Sequence, residues 1–128
     1  MTSEPLLAPI SIGDLIDRIS ILEIKAERIG GPDKAANVTR ELAALSMLRD
    51  AAGLDTPEMA AFASELRRIN GALWDVEEEI RGLDRNGDFG PRFVELARAV
   101  YTWNDRRSSV KRDINRASGS ALFEEKSY

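Results

Sequence analysis

Apolar side chains recur along most of the chain in alternating steps of three and four. From position 59 the row is Met59, Phe62, Leu66, Ile69, Leu73, Val76, Ile80 and Leu83. From position 93 it is Phe93, Leu96, Val100, Trp103, Arg107, Val110, Ile114 and Ala117. A shorter row near the start runs Ile12, Leu15, Ile19, Leu22, Ala26 and Ile29. This spacing draws one narrow seam along a helix, the geometry of coiled-coil and helix-bundle packing. No segment alternates with period two, so strands are not expected.

Punctuation between the rows predicts where the helices start and stop. Ser11 precedes the first row with Asp14 three residues later, a capping-box spacing, and Ile10 and Leu15 stand where a hydrophobic staple would form. The first helix is therefore expected over about 12–29, closed by Gly30-Gly31-Pro32. Asp33 is the expected cap of a second helix reaching about Ala52, with Gly53 past its end. Thr56-Pro57-Glu58 opens a third helix running to about Arg85. Asn86 to Pro91 is a turn, and Pro91 opens a fourth helix to about Ser118, stopped by Gly119, with Phe89 and Val94 placed as a second staple. The expected fold is an all-α, up-and-down four-helix bundle. Helices three and four form a long antiparallel hairpin, each about 40 Å at 1.5 Å per residue. Residues 1–128 read as a single helical domain with an extended N-terminal arm (1–11) and a C-terminal tail (119–128).

The seams are interrupted at few places. Arg107 falls in the middle of the fourth helix's apolar stripe, with Asn104 and Lys111 on its edge. Pairing the hairpin about its turn sets Arg107 near Asn70, which borders its own seam beside Trp74, and Trp103 lies one turn before Arg107. In the first helix Glu23 interrupts the stripe of Ile12, Ile16 and Ile19. A buried arginine requires a compensating anion, so Glu23 is the expected partner of Arg107. Two roles are open for the layer of Asn70, Trp74, Trp103, Asn104, Arg107, Lys111 and Glu23: an ion pair that fixes register, or a binding site for a small anion or polar ligand. A third geometry has Arg107 reaching along the surface to solvent. Ile21 and Ile24 lie off the main seam and are either covered by the second helix or the arm, or form an oligomer or partner contact. Leu122 and Phe123 in the tail likewise dock on the bundle or on a partner. The arm, with Leu6, Leu7 and Ile10 around Pro5 and Pro9, is expected to be extended and able to lie in a groove.

Composition narrows the chemistry. The chain has 128 residues and neither cysteine nor histidine, which removes disulfides, Cys/His zinc sites, thiol nucleophiles and a histidine base. Asp75, Glu77, Glu78 and Glu79 lack the facing acidic pair that a magnesium site would need and read as a solvated face; no metal or cofactor is expected. The net charge of −4 argues against nucleic acid as a partner, and interleaved acids make the cluster from Arg106 to Arg116 a charged face. Met1 to Ile10 resemble no secretory signal, and no apolar stretch is long enough to span a membrane, so a cytoplasmic location is expected. A non-enzymatic interaction or accessory protein, self-associating, is the leading reading. A small-ligand-binding bundle centred on Arg107, with any chemistry confined to fixed charges, is the alternative.

The segments from Ile10 to Ile29, Leu73 to Arg81, Tyr101 to Arg107 and Lys111 to Asn115, together with the ending Glu124-Glu-Lys-Ser-Tyr128, resemble a bacterial family of small helical proteins of unknown function. The resemblance implies a helical fold and brings no activity or catalytic residue. Asp17-Arg-Ile and its helix also look faintly like the first helix of the all-helical chorismate mutases. That family places an arginine on the inner face, however, whereas Arg18 points outward here and Glu23 occupies the inner face.

Overall fold

A computed structural model describes residues 4–125; the first three residues of the arm and the last three of the tail lie outside the described part. Four helices follow one another: α1 (Ile12–Arg28), α2 (Pro32–Ala51), α3 (Pro57–Arg85) and α4 (Pro91–Ser118). Three of them begin on proline, whose missing N–H costs nothing in the first turn. Ser11 and Thr56 cap α1 and α3, their hydroxyls accepting from the Asp14 and Met59 amides at 3.0 and 3.2 Å. α2 starts two residues earlier than Asp33 would set it: Gly31, at φ 98°, takes the cap position and Pro32 the first turn. At the other end of the chain Gly119 closes α4 in the left-handed conformation. The staple expected from Phe89 to Val94 does not form, since both are exposed and the Phe89 ring instead meets Phe93 edge-on at 5.2 Å.

The helices form a bundle in which the α3–α4 hairpin is the most extensive pairing, as the seams predict. α1 is the central element, packed against the other three, while α2 packs on α1 alone. The reason lies in their sequences. α1 is buried over more than half its circumference, whereas α2 has no continuous seam and only Val38 is buried. The core joins Ile16 of α1, Met59, Leu66 and Ile69 of α3, and Val110 and Ile114 of α4. These come from the first half of α3 and the second half of α4. Farther out, between residues 71 and 109, Leu96 is the only buried side chain, so the hairpin tip is a two-helix projection. There Arg92 bridges the pair, donating to both oxygens of Glu79 at 2.6 and 2.9 Å. The Arg92 hydrogen bond holds the Glu79 carboxyl below its ordinary range.

Candidate functional site

A second row runs down α1 beside the apolar seam: Gly13, Asp17, Ser20 and Ile24, in steps of four, three and four, all buried. Small and polar residues there allow α1 to lie close to α4 and oblige it to hydrogen-bond. At the head of the row the free amides of α1's first turn are capped from the far end of the chain. The Ile12 amide donates to Ser120 Oγ at 3.1 Å and the Gly13 amide to Asn115 Oδ1 at 2.7 Å. The approach is close enough that a Cβ on Gly13 would sit 2.5 Å from the Lys111 carbonyl oxygen.

One turn on, the Asp17 side chain is completely buried. It receives Asn70 Nδ2 at 2.9 Å, and Arg107 approaches side-on, with Nη2 at 2.5 Å from Oδ2 and Nε at 3.0 Å from Oδ1. Asn70 also donates to Ser20 Oγ, whose hydroxyl donates to the Asp17 carbonyl at 2.7 Å. The Asp17 hydrogen bond raises the Arg107 guanidinium above its ordinary value against the opposing effect of burial, with Asp14 and Glu124 adding to the rise. Lys111, only 12% exposed, donates to Asp14 at 3.4 Å and to Glu124 at 2.7 Å, which ties the tail to α4. No buried side-chain nitrogen or oxygen among the described residues lacks a partner. The layer is thus a charge-balanced lock joining α1, α3, α4 and the tail.

The sequence-derived layer is only partly assembled. Asn70 and Arg107 meet, and Asn104 and Lys111 lie beside them, but Glu23 does not pair with Arg107. It faces Arg67 of α3 at 3.8 Å, and Glu27, one turn later, pairs with the same arginine. Asp17 takes the role assigned to Glu23 because its row, not the apolar seam, faces α4. Trp103 is turned into the core cluster and stacks under Arg106 at 4.8 Å, away from the layer. Trp74 stands at the layer's edge, its Nε1 donating to Glu78 at 2.8 Å and its ring under Arg28. Asp14, Asp17, Ser20, Asn115 and Ser120 were not among the candidates. The four-three-four spacing of Gly13, Asp17, Ser20 and Ile24 was the available sign.

Two grooves flank Arg107. One, of about 650 Å³, is walled by Ile21 and Ile24 of α1 and Leu73 and Trp74 of α3, with Asn70, Asn104 and Arg107 along its edge. The other, of about 530 Å³, is polar and runs past Tyr101, Asn104, Arg107, Lys111 and Glu124. Asn104 borders both, and its amide has no hydrogen-bond partner among the described residues. Ile24 is buried and Ile21 half-buried in the first groove, while Leu122 and Phe123 remain 41% and 49% exposed. The arm does not fold into a groove of its own chain: Leu6 and Leu7 are 99% and 95% exposed. Asp75, Glu77, Glu78 and Glu79 are all exposed, and no group of three possible metal ligands occurs among the described residues. None of the described helices is long and apolar enough to cross a membrane.

Residues 6–128 match the profile of a family of unknown function, DUF6165. No curated protein and no solved structure matches the chain.

Proposed function

We propose that this chain, which belongs to the DUF6165 family of unknown function, is a non-enzymatic cytoplasmic interaction protein that self-associates. The observation that carries the reading is the group of exposed apolar side chains leaving one end of the bundle. Leu6 and Leu7 precede α1, and Leu122 and Phe123 follow α4, where Ser120 is bonded to the start of α1. Apolar side chains gathered in water at one pole mark a contact surface. The central layer supports a scaffold role as well, because its cations are engaged by carboxylates of the same chain. Light scattering at several protein concentrations is expected to give a mass above that of one chain, rising with concentration. A single-chain mass throughout overturns self-association.

A second reading, a small anion or polar ligand held in the groove on the Tyr101 side of Arg107, is favoured by the unpartnered Asn104 amide and the outward part of the Arg107 guanidinium, 29% exposed. Thermal-shift measurements against anionic metabolites are expected to raise the melting temperature of the wild type and not of Asn104→Leu. No stabilisation by any of them removes this reading.

A further inference from the structure

The apolar groove and the apolar arm each lack what the other has. The groove's walls are aliphatic and aromatic, and the charged side chains at its edge are hydrogen-bonded or ion-paired within the chain. Arg107 is held by Asp17, Glu78 accepts from Trp74, and Arg81 lies 3.9 Å from Glu77. The walls themselves offer a charged ligand no partner, since Ile21, Ile24, Leu73 and Trp74 are uncharged. The arm from Pro5 to Ile10 carries no charge at all, and Leu6 and Leu7 forfeit nearly the whole gain of burial. We infer that the arm of one copy lies in the Ile21–Ile24–Trp74 groove of a second copy, Leu6 and Leu7 inward, with the exchange made reciprocally about a two-fold axis. This rests on the self-association proposed above and names the segment and the surface that make it.

Backbone chemistry fits the same occupant. An extended strand presents free N–H and C=O groups, and the Asn104 amide at the groove's edge offers one donor group and one acceptor without a partner among the described residues. The arm is assigned to a second copy rather than its own groove because it stands clear of its own bundle, with Leu6 and Leu7 almost fully exposed. Ser11 enters α1 with ψ 154°, an extended geometry, and Pro9 holds Ala8 extended. The groove begins at Ile21, about 15 Å back along α1 from Ser11 at the helical rise, so occupation by the same chain would require the stiff Ala8–Pro9 segment to reverse. Seven extended residues, 4–10, reach roughly 23 Å outward, enough to cross to a neighbouring bundle.

The chain has no cysteine, so single-cysteine variants report one contact each. Leu7→Cys mixed with Ile21→Cys and oxidised is expected to give a disulfide-linked two-chain species, well above what either variant gives alone. No such excess overturns the proposal. A Leu7→Cys/Ile21→Cys double variant that closes within single chains also overturns it, in favour of the chain's own arm. A Phe123→Cys and Ile21→Cys mixture that cross-links in place of the arm pair overturns it in favour of the tail. Leu6→Asp/Leu7→Asp changes only exposed residues and is expected to weaken dimerisation by about a hundredfold or more. A dimer that persists unweakened in this variant overturns the arm contact while leaving self-association standing. A wild type that is a monomer at every concentration removes both.

Discussion

Gly13→Ala is expected to destabilise the protein by on the order of 3 kcal/mol, at the upper end of what overpacking costs in a tightly packed interior. The added methyl would stand 2.5 Å from the Lys111 carbonyl oxygen and 2.9 Å from Asn115 Oδ1. The first of these is backbone in the middle of α4 and cannot turn aside as a side chain would. To admit a Cβ, α1 must move off α4, and doing so lengthens the 2.7 Å bond from the Gly13 amide to Asn115. A buried amide left without its acceptor adds a further cost of about 1–3 kcal/mol if the bond is lost outright. Urea unfolding of the two proteins measures the difference. A loss smaller than about 0.5 kcal/mol, the gain in helix propensity included, would mean that α1 and α4 are not held at this separation.

Arg107→Leu is expected to cost about 3–5 kcal/mol, because it leaves the Asp17 carboxylate, fully buried, with Asn70 as its only remaining side-chain donor among the described residues. The instructive comparison is the double variant Asp17→Leu/Arg107→Leu. Removing both charges takes away the desolvation burden together with the attraction, so the double variant is expected to recover most of the loss. Chemical denaturation of the four proteins in this cycle yields the coupling energy directly. If the single Arg107 variant is as stable as the wild type, the pair does not lock the helices and Arg107 is free for another task. If the double variant is no better than the single, Asn70 depends on the carboxylate for its own hydrogen bonding.

The helices were legible largely because proline and glycine bracket them. Thr56-Pro57 and Gly90-Pro91 fixed the starts of α3 and α4 to the residue, and Gly119 fixed the end of α4. The start of α2 shifted by two residues because Pro32 is itself a good first residue, leaving Asp33 within the first turn. The isolation of α2 on α1 was harder to read. Its leucines and alanines are plentiful but follow no single row, so their number suggested a full bundle member while their spacing buries only Val38.

The site was legible on one side of the interface only. A cation within the otherwise apolar row of α4 marked Arg107, and hairpin pairing brought Asn70 to it. Its partner is hidden in the sequence, because along the apolar stripe of α1 Glu23 is the visible interruption and Asp17 lies off it. That stripe faces α3, and Glu23 duly meets Arg67 there. Asp17 lies among glycine and serine, a row that looks solvent-facing until a second helix is laid against it. The spacing gives the height of Trp103 along the helix but not its direction: its ring packs against the apolar core, while Arg107 one turn on reaches Asp17.

The capping of α1 by Asn115 and Ser120 also orders events in time. The two bonds span 102 and 108 residues of sequence. During synthesis the first helix emerges long before either cap exists, and its neighbours Arg107 and Lys111 are equally late. α1 can pair with α2 and then with α3, whose Asn70 meets Asp17 and Ser20, but the polar row stays open on its α4 side. Asp17 therefore waits for Arg107, and the first-turn amides of α1 for their caps, until α4 and the residues after it have emerged, and this part of the bundle is completed from its C-terminal side. Truncation before Ser120 would leave the beginning of the protein unfinished.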